Sequence, residues 1–274
     1  MNELDKIIQE YKKADIFISD QEQEKRTAEF IYTSNRMEGN KLDYAETISV
    51  IQNKINISSG ASLTDILEVK GHLKAVKTCI QMAKNLYPLT ELSIKNFNRN
   101  LLSSLWKDDE TYLNWKEVGQ QPGEYKVKKN KIECVYNGEK STIIPPSDEK
   151  NVKENMEEVF NQNSEYKSLT ESCAHLAFQI FLNQPFCDGN KRTARLAVAY
   201  KLIQAGLPLI IFKHEGRNFN SALLDCYFKK TLDPMVKYLE KEIKQQLTQL
   251  IEEKKKLDKG SKLPKPGKGR VMIF

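Results

Sequence analysis

Several ordinary signals are missing from this chain. Its five cysteines (Cys79, Cys134, Cys173, Cys187 and Cys226) are odd in number, scattered, and never spaced as CxxC. That excludes a disulfide framework and a cysteine zinc site, and reads as reduced thiols. No apolar run approaches the length of a membrane span. The opening "MNELDKIIQEYKK" lacks the apolar segment of a secretory signal. The expected location is therefore the cytoplasm, with no membrane partner. A general basic excess is missing too. The net charge is +6, but Lys254 to Arg270 alone holds eight Lys/Arg against one Asp, so the rest of the chain is close to neutral. A near-neutral body argues against a broad nucleic-acid-binding face and leaves only the basic tail for such a partner. The tail's Pro and Gly content reads first as a solvated end.

What the chain has is helical periodicity, without an internal repeat. "YAETISVIQNKI" and "DILEVKGHLKAVKTCIQMAKNL" carry apolar residues at three- and four-residue spacing. Ser62 with Asp65, and Ser168 with Glu171, are placed as helix-opening caps. "DEKNVKENMEEVFNQN" puts Val152, Met156, Val159 and Phe160 on one face. The segment from Ser168 to about Leu182 is the most apolar helix, and Leu196, Ala199, Tyr200 and Ile203 mark another that Gly206 and Pro208 end. One stretch alternates instead. Tyr125 and Val127, a Lys-Lys-Asn turn, then Ile132, Cys134 and Tyr136 predict a short hairpin. Two strands alone are marginal in water, so the hairpin must lean on the helices or await a partner strand.

The chemistry concentrates between the two apolar helices, in "NQPFCDGNKRTAR", Asn183 to Arg195. Gly189 and Asn190 permit a tight turn. The helix that follows offers amides without intrahelical partners and the positive end of its dipole, which favours an anion. Lys191 and Arg192 add cations where they oppose the dipole, an arrangement that an anion would stabilise. Arg192 and Arg195, three apart, share a helical face. Asp188 supplies a hard oxygen suited to a Mg²⁺ that also touches phosphates. The alternative is a surface turn with solvated charges. The cations at the wrong helix end and the buried flanking helix favour a polyphosphate cradle.

These residues resemble the Fic family signature, H-P-F-x-[D/E]-G-N-[G/K]-R-x-x-R, from Pro185 through Arg195. "SNRMEGNKLDYAET" is similar to the family's inhibitory motif, [S/T]-x-x-x-E-[G/N], with Ser34, Glu38 and Gly39 in its fixed positions. "PGEYKV…IIPP" resembles the flap with its G-x-Y-[R/K] start, and "GRNFNSALLDCYFKKTLDPMVKYLE" the helices closing the core. The likeness runs from about residue 25 to 245. It implies a mainly all-α fold, a Fic-like helical core with a short β-hairpin flap. Residues 1–60 would be N-terminal helices including an inhibitory helix at about 25–39. Residues 61–245 would form the core with the flap at 123–137, and 246–274 a basic tail. It also implies ATP·Mg as substrate and transfer of AMP to a hydroxyl of a target protein. By position, Asp188 would bind Mg²⁺, the amides from Gly189 onward with Asn190 would form the anion hole, Arg192 would hold the inner phosphates and Arg195 the γ-phosphate. Lys191 stands where many members have Gly. Tyr125, Val127 and Ile132 would meet the target on the flap, and Glu38 would pair with Arg195 and block a productive γ-phosphate.

Gln184 breaks the pattern, because it stands at the signature His. An imidazole can take the proton of an attacking hydroxyl, and a positioned base contributes about 10²–10⁴-fold. A glutamine amide is not basic. Of the three histidines, His175 reads as a satisfied core residue, His72 as solvated or partly buried, and His214 as a loop residue with no required tie to the site. The expectation is a nucleotide-binding site with impaired or altered AMP transfer. A catalytically inactive regulator or scaffold, or a nucleic-acid-associated protein of toxin–antitoxin type acting through the tail, are the alternatives. A homo-oligomer is compatible with the sequence.

Overall fold

Helical spacing becomes eleven α-helices and one hairpin among the described residues, which are 3–54, 60–108 and 110–260 of the computed structural model. In chain order they are α1 (Glu3–Lys13), α2 (Asp20–Arg36), α3 (Tyr44–Ile51), α4 (Leu63–Lys84), α5 (Glu91–Asp108) and the short α6 (Leu113–Lys116). Strands β1 (Ile132–Tyr136) and β2 (Glu139–Ile143) follow, then α7 (Val152–Asn163), α8 (Leu169–Asn183), α9 (Asn190–Gln204), α10 (Phe219–Lys229) and α11 (Asp233–Gly260). The fold is mainly all-α, with one short two-stranded β-hairpin.

Residues 18–242 form one compact unit. α4 lies at its centre, packed against α5, α9 and α2. Val69, Ala75 and Val76 of α4, Phe97 and Leu101 of α5, and Leu196, Ala197 and Tyr200 of α9 are all buried. Gly71 makes the α4–α5 approach close: a Cβ there would stand 2.2 Å from the Leu101 carbonyl oxygen. The capping signal at Ser62 is a full box. Its hydroxyl accepts from Asp65 N at 3.2 Å, and Asp65 Oδ2 accepts from Ser62 N at 2.8 Å. Asp65 Oδ1 also accepts from Lys41 N at 2.9 Å, which ties the end of the α2 segment to α4. The second unit comprises residues 3–17 and 243–260 among those described. In it α1 and the end of α11 bury Leu4, Tyr11, Leu247, Leu250 and Ile251 and pair Glu3 with Lys244 and Glu10 with Lys255.

Four expectations need correction. The hairpin is not at 123–137 with a turn at Lys128–Asn130; it pairs Ile132 with Ile143 and turns at Asn137–Gly138. Both turn residues have positive φ (50° and 85°), as a type I′ turn requires, and Asn-Gly is the strongest sequence signal for it. No boundary falls at residue 60, because α2 and α3 pack on α4 within the larger unit. Residues 246–260 are not tail but the continuation of α11, whose Leu247, Leu250 and Ile251 keep helical spacing. Residues 261–274 of the expected tail lie outside the described residues. His72 is fully buried rather than solvated or partly buried.

Candidate functional site

The loop between α8 and α9 is held in an unusual backbone. Gln184, the C-cap of α8, is left-handed (φ 44°, ψ 59°), and Gly189, the N-cap of α9, has φ 74°. A β-carbon at Gly189 would also meet Asn98 Nδ2 at 3.1 Å. Thr193 N makes the first bond of α9, to Gly189 O at 2.8 Å. The amides of Asn190, Lys191 and Arg192 therefore lack intrahelical acceptors, as at any helix start.

Side chains brace this loop from within. Asn190 Oδ1 accepts from Phe186 N at 2.9 Å, and its Nδ2 donates to Phe186 O and to Gln184 Oε1 at 2.9 and 3.0 Å. Gln184 Nε2 donates in turn to Phe181 O at 2.6 Å. Both ends of the Gln184 amide are engaged, its oxygen as a hydrogen-bond acceptor and its nitrogen as a donor. The side chain of Asn190 thus shapes the loop, leaving its amide for a ligand.

Three cations meet three carboxylates around the start of α9. Arg192 donates to Glu68 Oε1 of α4 at 2.8 Å and faces Asp188 at 3.7 Å. Its Nε is buried without a partner. Burial disfavours its charge, but Glu68 and Asp188 more than offset this and hold its pKa up. Arg195, fully buried, donates from Nε to Ser34 Oγ at 2.7 Å, from Nη2 to Ser34 O at 3.1 Å and to Glu38 Oε1 at 2.7 Å, and from Nη1 to Asn220 Oδ1 at 2.9 Å. Glu38 Oε2 meets Lys191 Nζ at 2.7 Å. Burial pushes the Glu38 carboxyl toward neutrality, yet Arg195 and Lys191 outweigh it and hold the pKa well below the usual carboxylate range. Glu38 follows the end of α2, and Gly39 (φ 94°) lets the chain turn away behind it. Asp188 is braced by Tyr112, whose hydroxyl donates to Oδ2 at 2.5 Å, by Gly189 N on Oδ1 at 2.6 Å, and by Asn98 Nδ2 on its carbonyl at 2.8 Å.

Glu38, Glu68, Gln184, the run from Cys187 to Arg192, and Asn130 and Lys131 ahead of β1 line a cleft of about 340 Å³. Arg195 does not reach the cleft; Ser34, Glu38 and Asn220 enclose it. Of the predicted flap residues, Ile132 opens β1 and is buried, while Val127 is exposed. Tyr125 packs at a tilt on Phe186 of the loop, ring centroids 5.8 Å apart, ahead of the hairpin. Tyr136 stacks on Phe228 at 4.0 Å and donates to Asp225 at 3.0 Å, which anchors the hairpin tip to α10. No third strand pairs with it among the described residues. His175 accepts from Asn163 at 3.3 Å, and His72 pairs with Asn35 at 2.8 Å. Burial lowers the pKa of both, and His214 packs on Tyr32. None of the three lines the cleft.

Sequence reading missed Glu68, Asn98, Tyr112, Asn130 and Asn220, whose partners stand far along the chain. Lys126 was also missed, although it fills the last position of the G-x-Y-[R/K] pattern. Among the described residues no group of three His, Cys, Asp or Glu is placed to hold a metal. No helix among them is long and apolar enough to cross a membrane.

A sequence model described as the Fic/DOC family matches residues 88–202. "Protein adenylyltransferase Fic" of Drosophila yakuba is 24% identical over 216 residues, covering 76% of this chain and 39% of its own length. "Protein adenylyltransferase fic-1" of Caenorhabditis briggsae is 23% identical over 214 residues, covering 77% and 39%. The chain thus spans less than half the length of the curated relatives it matches. Among solved structures, a Fic domain containing signaling protein from Bacteroides thetaiotaomicron superposes with TM-score 0.76 at 25% identity, over 93% of this chain and 97% of that one. Fic-1 (residues 134–508) of C. elegans gives 0.69 at 18% identity, over 93% and 72%.

Proposed function

This chain is a Fic family protein, and on that premise we propose that it binds ATP·Mg at the α9 N-terminus in an internally braked site whose transfer of AMP to a protein hydroxyl is impaired. Distant homology to protein adenylyltransferases supports AMPylation-type activity at the level of the family. The observation that carries the reading is Glu38, a carboxylate that neutralises Arg195 and Lys191 where the resemblance places the outer phosphates. An internal anion in a cationic cradle marks what the cradle is built to hold. The unpartnered Nε of Arg192 and the open amides of α9 support the same conclusion.

Asp188 fits a Mg²⁺ that arrives with the nucleotide. It is a braced, half-exposed carboxylate on the cleft, and a single protein carboxylate suffices when phosphates and water complete the octahedron. Bound there, the ion would neutralise phosphate charge. Tyr112 and the Gly189 amide fix the carboxylate, Asn98 holds the Asp188 carbonyl, the α9 amides and Arg192 orient the phosphates, and Gln184 holds the loop without taking a proton. The exposed edge of β1 is the docking place for a target segment, by strand addition. The compartment we assign is the cytoplasm.

Labelled ATP incubated with lysate tests the reading. The parent should label little. Gln184→His combined with Glu38→Gly should label itself or a target. If the double variant binds ATP yet labels nothing, the chain is a nucleotide-binding regulator.

A further inference from the structure

Lys126 is buried, with 2% of its surface exposed, and among the described residues it forms no ion pair. Its ammonium donates to three neutral oxygens: Ser147 O at 2.7 Å, Asn130 Oδ1 at 2.9 Å and Asn183 O at 3.0 Å. Its own backbone amide donates to Pro185 O at 2.9 Å. Asn130, oriented by that ammonium, donates from Nδ2 to Phe186 O at 3.0 Å and Gln184 O at 3.4 Å. Asn183, Gln184, Pro185 and Phe186 are thus gripped in succession by one lysine and the asparagine it orients. This is the stretch where the backbone turns left-handed at Gln184, a conformation that a non-glycine residue adopts only when its surroundings impose it. The same asparagine lines the cleft.

We propose that Lys126 is a positioning residue, whose protonated side chain, acting through Asn130, sets the turn that carries Gln184 and so the entrance to the α9 cradle. The chemistry is a matter of donor count. An ammonium has three protons for three acceptors, whereas a neutral amine has two. Loss of the proton frees one acceptor and weakens the other two bonds, which lose their charge assistance. If the acceptor released is Asn130, the grip on Gln184 goes with it. The charged groups facing the ammonium are Asp148 and Glu149, on the segment ahead of α7; they favour its charge, but burial prevails and brings the pKa down to about 8. An arginine at this place would keep the charge at every working pH.

The test follows the turn itself and needs no nucleotide. Lysine side-chain NMR should give Lys126 a midpoint of about 8, against about 10.4 for exposed lysines. The amide resonances of Gln184, Phe186 and Asn190 should move with that same midpoint. In Lys126→Arg, which remains folded if its resonances stay dispersed, the transition in those three amides should vanish between pH 7 and 10. Loop amides that stay still while Lys126 titrates would overturn the proposal. So would amides that move with an unchanged midpoint in Lys126→Arg. A second readout rests on the nucleotide-site reading. The parent's affinity for ATP·Mg should fall about tenfold from pH 7 to 9, within the one-proton linkage limit, while Lys126→Arg holds. Failure of the parent to bind ATP at any pH would count against the nucleotide site, and the amide titration would still decide the role of Lys126.

Discussion

Glu38 Oε1 lies 2.7 Å from Arg195 Nη2, and its other oxygen lies 2.7 Å from Lys191 Nζ. One carboxylate therefore neutralises two of the three cations that open α9, at a place where only an anion is stable. Removing it leaves the fully buried Arg195 without its counter-charge. Breaking a buried pair by losing one partner typically costs about 3–5 kcal/mol. Glu38→Gly should therefore lower the thermal midpoint without ligand. Because the vacated cradle favours an external anion, ATP·Mg should raise that midpoint further in the variant than in the parent. Scanning calorimetry with and without ATP·Mg checks both.

Arg195→Ala should weaken ATP more than ADP in the Glu38→Gly background, since the γ-phosphate is its proposed partner. Arg192→Ala should weaken both alike. Equilibrium titrations with the two nucleotides read the difference.

The pH dependence has a defined sign for two groups. Glu38 has a depressed folded pKa, so its contribution to stability is full above its unfolded value of 4.5 and is lost as pH falls below it. Glu38→Gln should flatten the acid side of the stability profile. Lys126 has a folded pKa of about 8 against 10.5 unfolded. The unfolded chain binds the extra proton between those values, so this group adds stability as pH rises through that window, while the local turn loosens. Denaturant titrations from pH 3 to 10 measure both effects.

The hairpin edge gives a separate check. Tyr136 pairs with Glu139 across the type I′ turn, so the amides of Tyr136 and Cys134 face β2 and those of Glu133 and Val135 face outward. Hydrogen exchange should find Glu133 and Val135 unprotected without a partner and protected when a target segment adds. Protection equal to the central helices without partner would rule out the docking edge.

The run from Asp188 to Arg195 was legible as a cluster in the sequence because its residues lie within about two helical turns, where spacing dictates geometry. Glu38 could be read only through resemblance, since its pairing with Arg195 spans 157 positions. Glu68 meets Arg192 across 124 positions, and Tyr112 and Asn98 meet Asp188 across 76 and 90; no local pattern encodes such contacts. The hairpin was misplaced because Tyr125 and Val127 alternate like a strand, while the turn signal lay further on, at Asn137–Gly138. Nothing local marks Lys126 for burial; beside Asn130 Oδ1, its acceptors are the carbonyls of Ser147 and Asn183, 21 and 57 positions away.

The central claim is that the α9 cradle is a nucleotide site closed by Glu38. Isothermal calorimetry with ATP and Mg²⁺, on the parent and on Glu38→Gly, tests it most directly. The account predicts weak but measurable binding to the parent and tighter binding to the variant, with the gain reduced when Arg195 is also Ala. No heat at millimolar ATP from either protein, both folded, would contradict it.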